Sequence, residues 1–546
     1  MSDPTVDPVV PAPEPAPSAA PAPSATVGLA DGEWHRLHPA TPLLRGGLYL
    51  VAIIGIVVAN LRERLVEWFL PGLVCPPGEI GCNPDDPFGQ LLDSGYLLIG
   101  LLVALGVLLL LVALFYVSWR MHTFRVSAEV VEVKSGVLFR THRKARLDRI
   151  QGVSVSRPLF ARLFGAAKLD VEVAGQDANV QLSYLGTAAS DQLRADILRL
   201  ASGSRATSGA AASGAGTAAG GSLVERRVSE LLAPELHPDL APPESVVRMP
   251  VGRLIGSTLL SGSLVWLLLL VGVVVAVVTL SLTVSRELLW VLFTVVPITI
   301  GFGSYLVNRV IKFLRYSIAA TPDGVRIGYG LFSTRNDTLP PGRIHSVAVS
   351  QSLVWRPADW WTVRVNRASR TTNSSGDGQA QQQSTVVLPV GTRDDVFKVL
   401  ELLLPELLAA GGGDLRALLE HGLAGKGGDD EFTTSPRRAA VLRWFSWRRN
   451  GFALFPGVAL LRRGAIWREL AIVPTPRIQS VAVEQGPLER SLRLAGVHLH
   501  TVAGPISPRI GALSSDDAQA LFRDAAAAAV AAAGTDRSHR WRSGEA

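Results

Sequence analysis

At 546 residues the chain is long enough for several folding units, and 48% hydrophobic content with a mean hydropathy of +0.28 is high for a soluble protein of that size. The net charge is +7, yet 47 of the 53 basic residues are arginines dispersed along the whole length, which argues against a nucleic-acid patch and for charge flanking apolar segments. No nucleophile elbow, metalloprotease helix, phosphate-cradling glycine loop or paired-carboxylate arrangement is present, so neither a cofactor nor a catalytic centre is expected.

Residues 1–33 are rich in Pro and Ala with little charge, and are expected to form a disordered tail without a strong secretory pattern. A transmembrane helix pair is expected over 43–117, with an external loop at 62–95. Its first arm has only 16 uncharged residues between Arg45 and Arg62. Crossing the bilayer takes about 20 residues, so 46–61 either spans with both arginines snorkelling or is a buried or re-entrant helix. The second arm has 26 uncharged residues between Asp93 and Arg120. Cys75 and Cys82 lie in the external loop beside Pro76, Pro77 and Pro84, where a small disulfide loop and two unpaired thiols both fit.

A first β-rich domain is expected at 118–201, a Gly/Ala/Ser-rich linker at 202–245, and a second helix pair at 246–312 with uncharged runs of 32 and 21 residues. A second domain follows at 313–409, a linker at 410–436 with a short helical candidate at 414–423, a third domain at 437–533 and a tail at 534–546. Nine basic residues flank the four apolar runs on one side and three on the other. The imbalance favours four crossings with both termini cytoplasmic, in a multi-pass protein of the cell membrane.

One strand signature recurs in each domain: Arg149-Ile150-Gln151-Gly152-Val153-Ser154-Val155, Arg343-Ile344-His345-Ser346-Val347-Ala348-Val349 and Arg477-Ile478-Gln479-Ser480-Val481-Ala482-Val483. Each arginine follows a turn glycine, Gly136, Gly330 or Gly464, by 13 positions. Three copies in register argue for a triplicated unit. Later strands are expected at 169–174, 179–184, 362–368, 385–390 and 497–502. Closing helices are expected to start at Ser190-Asp191, Thr392 and Ser515, where hydroxyl and acidic residues suit helix caps. Trp34–Pro39 and Val247–Leu254, which precede the helix pairs, mix cationic and apolar groups as interfacial segments do.

The glycines ahead of the Arg-Ile-x-(Gly/Ser)-Val-x-Val strands, the endings Val173-Ala174-Gly175 and Val502-Ala503-Gly504, and the preceding helix pairs resemble the bacterial pleckstrin-homology (PH)-like, membrane-flanked domain proteins of the YdbT-like kind. The resemblance implies transmembrane α-helical hairpins plus three β-rich PH-like domains, each a partly open antiparallel barrel of about seven strands with one C-terminal helix, and implies no enzymatic activity. Copy two departs at Val365-Asn366-Arg367-Ala368, and copy three lacks a helix pair.

Three groups are candidate sites. Arg140, Arg143, Lys144, Arg146 and Arg149, with His142, form the densest cationic cluster; anionic headgroup contact and plain solvated charge both fit. Trp355, Trp360 and Trp361 follow the second signature strand, as Leu159, Phe160, Leu163 and Phe164 follow the first and Leu488, Leu492 and Leu494 the third. These residues are expected to plug the open end of each sheet, the tryptophans becoming a partner surface if exposed. His498 and His500 share a strand face but lack further ligands at metal spacing, so no metal is expected. The expected function is a non-catalytic integral membrane protein presenting three cytoplasmic PH-like domains as protein-binding or scaffolding modules. Its partners would be the lipid bilayer and other proteins, its own sheets included, with no nucleic acid. An anionic-lipid sensor and a transporter component are the alternatives.

Overall fold

The structure is a computed structural model that describes residues 29–39, 41, 44, scattered positions from 102 and then 116–136, 140–174, 179–202, 247–283, 289–321, 324–340, 342–368, 386–428 and 431–535. Residues 1–28, 203–246 and 536–546, most of the first helix pair and the Cys75/Cys82 loop lie outside those residues.

One plan is repeated three times. Unit one contains β1 (His35–Arg36), β2 (Thr123–Val126), β3 (Val130–Ser135), β4 (Thr141–Arg146), β5 (Ile150–Arg157), α1 (Leu159–Leu163), β6 (Ala166–Val173), β7 (Val180–Gly186) and α2 (Thr187–Ser202). Unit two has β8 (Val247–Arg248), α3 (Val251–Leu259), α4 (Gly262–Thr283), α5 (Leu289–Phe313), β9 (Ser317–Thr321), β10 (Gly324–Tyr329), β11 (Thr334–Leu339) and β12 (Ile344–Gln351). It continues through a 3-10 turn (Leu353–Ala358), β13 (Trp361–Arg367), β14 (Val386–Gly391), α6 (Arg393–Leu403) and α7 (Pro405–Ala424). Unit three comprises β15 (Thr433–Thr434), a 3-10 turn (Arg437–Val441), β16 (Gly451–Phe455), β17 (Val458–Arg463), β18 (Arg468–Pro474), β19 (Ser480–Glu484), α8 (Pro487–Ser491), β20 (Leu494–His500), β21 (Arg509–Ser514) and α9 (Ser515–Thr535).

The turn glycines sit between the third and fourth strands with φ of 108°, 108° and 78° at Gly136, Gly330 and Gly464. A side chain there would collide with the carbonyl of Ser333 at Gly330 or of Trp467 at Gly464, so glycine is a steric requirement of the hairpin. Thr392 forms a reciprocal cap on α6, its hydroxyl accepting from the Asp395 N–H and the Asp395 carboxylate accepting from its own N–H at 2.9 Å. Helix α2 begins at Thr187, earlier than the Ser190 cap, because β7 runs directly into it.

Sheet order departs from the expectation of three loosely tethered domains. The sheets run β1-β2-β3-β4, then β7-β6-β5-β11-β10-β9-β8, then β14-β13-β12-β18-β17-β16-β15, and finally β19-β20-β21. Signature strand β5 is thus completed by β11 of the next unit, with Val153 opposite Thr338, and β12 by β18, with Val347 opposite Ile472. Backbone groups left open at the edge of one unit are satisfied by its neighbour. Where a tether was expected at 410–436, α7 buries Leu415, Leu418, Leu419 and Leu423 in a core that also contains Leu460, Leu470 and Ile472 of unit three. The Trp34–Pro39 and Val247–Leu254 segments contribute the two-residue strands β1 and β8, with Leu37 and Val247 buried, so they begin as fold elements.

Helices α4 and α5 are long and apolar enough to cross a membrane, and only 6% of each candidate span is buried inside the protein. Core helices of a soluble protein would be mostly covered. Their base is fixed to unit two by Arg253, paired with Asp395 at 2.5 Å, and by the ring of Trp360 against Gly256.

Charged groups are buried where units one and two meet. Glu172 on β6 receives Arg367 from β13 at 2.9 Å and Arg335 from β11 at 3.8 Å, while Arg194 of α2 donates to Thr338 at 3.1 Å. Breaking such a pair from one side strands a desolvated charge. Arg367→Ala should therefore cost about 3 kcal/mol in urea unfolding. Adding Glu172→Gln should recover part of that loss.

Near the second contact, burial beside Arg477 and Arg343 pushes the His345 imidazole down to about 4. The unfolded histidine, with its ordinary value of about 6.5, binds more protons than the folded one between those pH values. Stability is therefore full above about pH 6.5 and falls as the pH drops toward 4. His345→Gln, which installs the residue of the matching Gln151 and Gln479, should flatten that part of the pH–stability profile in melts between about pH 7.5 and about pH 5.

Candidate functional site

Among the described residues β4 of unit one and β19 of unit three each pair with a single neighbour, as do the other outermost strands of the four sheets. In unit one β4 pairs with β3 and has no second neighbour. Arg140, Arg143, Lys144, Arg146 and Arg149 are all exposed; Arg143, Lys144 and Arg146 lie on β4 itself, and Arg140 and Arg149 flank it. The cluster is therefore an extended edge, where the sequence suggested a loop. It is partly neutralised from beneath: Glu132 on β3 accepts Lys144 at 2.8 Å and Arg125 at 2.7 Å, with His142 at 3.6 Å. Those hydrogen bonds, Lys144 foremost, hold the Glu132 carboxyl below the ordinary carboxylate range against the opposing effect of burial. Arg146 turns to Asp148 at 3.1 Å, and Arg143 reaches the Asn179 carbonyl at 3.5 Å.

In unit three β19 pairs with β20 alone. Its composition matches that of its covered counterparts, but its environment does not. Val155 and Val349 are 1% and 0% exposed, whereas the equivalent Val483 is 41% exposed. One register position shows how the units differ. Glu172, Asn366 and His500 stand opposite Gly152, Ser346 and Ser480. Glu172 takes the arginines of unit two. Asn366 clamps the hairpin of unit three, accepting from the Ile506 N–H at 3.0 Å and donating to its carbonyl at 2.7 Å, with Gly504 leaving the room it needs. His500 instead lies against His498, ring centroids 3.9 Å apart, and burial with His500 beside it lowers the His498 imidazole.

The three tryptophans are separated by the fold. Trp361 is 1% exposed in the core and donates to Asp359 at 2.8 Å, so it offers no partner surface. Trp355 and Trp360 are half-buried, meet edge to face and pack on that core. Among the residues expected to plug the sheets Trp361 and Leu494 are deeply buried; Leu159, Phe160, Leu163, Phe164 and Leu488 are exposed, as are Leu353 and Val354 beside the tryptophans. The short helices α1 and α8 and the intervening 3-10 turn carry them outward, since the sheets are closed by α2, α6 and α9 instead. Sequence reasoning also passed over the aromatic, arginine-rich stretch 437–449, whose spacing fits neither a strand nor a long helix.

Comparison with known proteins agrees with this repeated architecture. Residues 80–201, 259–407 and 432–529 match the bacterial PH domain. Over 100 residues the chain is 29% identical to the UPF0699 transmembrane protein YdbT of Bacillus subtilis (strain 168), a match covering 18% of this chain and a fifth (20%) of that relative's length. No solved structure matches. Each of the three matched segments encloses a strand meander, a signature strand and most or all of its closing helix, and together they cover more than half of the chain, which belongs to the bacterial PH domain family.

Proposed function

We propose that this is a non-catalytic integral membrane protein whose three PH-like units, each a partly open barrel, form a cytoplasmic scaffold that binds partner proteins by strand addition. The observation that carries this reading is the pairing of β5 with β11 and of β12 with β18: in this chain PH-like sheets already bind PH-like sheets edge to edge. The open β19, with Val483 exposed where its counterparts are covered, is the edge at which a further strand would add. Membrane anchorage is supported by the uncovered apolar faces of α4 and α5 and by the transmembrane designation of the Bacillus relative. Four crossings with both termini inside fit the distribution of basic residues.

The exposed cations of the β4 edge favour a second reading, an anionic-lipid sensor. Affinity capture of the full-length protein from its native membrane separates the two. Strand addition predicts that captured proteins are lost in Val483→Lys and retained when Arg143 and Lys144 are both changed to Glu. Val483→Lys should keep the wild-type melting temperature because its side chain is exposed, whereas the Arg143/Lys144 variant sets a carboxylate against the buried Glu132 and should melt lower while staying folded. Capture of no protein, together with binding to anionic vesicles that the Arg143/Lys144 variant abolishes, would replace the scaffold with the sensor.

A further inference from the structure

In each unit the chain leaves a two-residue strand through a proline and returns to pair with that strand. Unit one departs at His38-Pro39 and comes back at β2. Unit two departs at Met249-Pro250, runs through α3, α4 and α5, and comes back at β9. Unit three departs at Ser435-Pro436 and comes back at β16 after only residues 437–450. That short segment therefore occupies the topological place of a membrane hairpin.

Its inner side is firmly held. Ala439 and Asn450 are both 0% exposed, and the Asn450 amide donates to Ser435 Oγ at 2.7 Å and to the Gly511 carbonyl at 2.6 Å. Successive backbone bonds, Arg443 N–H to Ala439, Trp447 N–H to Arg443 and Asn450 N–H to Ser446, each 2.9 Å, coil it into a compact knuckle. Its outer side is apolar and bare: Val441 is 75% exposed, Leu442 39%, Trp444 72% and Phe445 65%, with the last two rings stacked at 4.3 Å. Arg437, Arg438 and Arg448 are exposed around them.

A second feature points the same way. The β10–β11 turn touches the end of α5, Gly330 N–H donating to the Leu314 carbonyl at 2.9 Å, so this turn marks the hairpin end of unit two. The matching β17–β18 turn of unit three carries Ile466 and Trp467, 42% and 71% exposed. Bare aromatic and aliphatic groups ringed by arginine are the composition that settles at the boundary between headgroups and acyl chains, rings in the interface and guanidinium groups on anionic lipid.

We infer that residues 437–449 are a monotopic wedge that seats Val441, Leu442, Trp444 and Phe445 in the surface of an anionic bilayer, anchoring unit three where it has no helix pair. The inference rests on the proposed membrane crossing of α4 and α5. The test uses the full chain carrying Cys75→Ser and Cys82→Ser, with single nitroxide-labelled cysteines at Trp444→Cys, at Trp266→Cys on α4 and at Val530→Cys on α9, the last two sites being 63% and 77% exposed. In vesicles of mixed anionic and zwitterionic phospholipid, labels at 444 and 266 should relax with oxygen more than with an aqueous nickel chelate, and the label at 530 should do the reverse. Water contact at 266 would overturn the membrane reading and the wedge with it. Lipid contact at 266 with water contact at 444 would overturn the wedge alone, as would a label at 444 shielded from both relaxants by a covering protein. A tryptophan-emission component quenched by brominated lipid and lost in Trp444→Phe is the label-free counterpart. Its absence, with lipid contact at 266 established, also overturns the wedge.

Discussion

A β-strand cannot leave its outer row of N–H and C=O groups both buried and unpaired, and this chain meets that requirement by borrowing. The signature strand of one unit takes as its neighbour the fourth strand of the next unit. Everything else follows from that exchange. Both flanks and the core face of the first two signatures are covered, which is why β5 and β12 each bury six of their eight residues, polar ones included. Among the described residues no strand is lent to the third signature, so a similar sequence pattern there has its edge open.

The two internal contacts use the same backbone geometry with different side-chain chemistry. The first is ionic and desolvated, centred on Glu172, Arg335 and Arg367, whereas the second relies on an amide clamp from Asn366 and an Arg364–Glu469 pair at 3.8 Å. A buried ion pair gains little net stability over an apolar alternative but penalises mispairing heavily. With three similar meanders in one chain, each able in principle to dock on any signature strand, different polar inserts discriminate the correct neighbour.

Much of this was legible in the residues. The glycine-to-arginine interval identified the hairpins, because only glycine tolerates the positive φ of the turn, and Thr392 read correctly as a cap because its partner Asp395 stands three residues on. The two apolar runs of α4 and α5 stood out by length alone. The exchange between units did not, since strand pairing depends on groups far apart in sequence and leaves no local period. Two-residue strands such as β15 are too short to show alternation at all. The second half of α7 was legible as the helical candidate at 414–423, but its continuity with the first half was obscured by Gly411-Gly412-Gly413, where Gly412 at φ 52° breaks the helix before Leu415 begins its buried stripe. Trp361 and Phe160 looked alike as aromatic residues following a signature, and only the sheet decides that one enters the core and the other faces outward.

The borrowing of strands also orders events at the ribosome. When β5 emerges its outer flank has no mate, and none exists until the apolar hairpin of α4 and α5 and then β11 have been made. Synthesis of the first two units thus leaves a sticky ledge whose completion waits on the next, so maturation of unit one depends on α4 and α5 being placed before β11 can reach it.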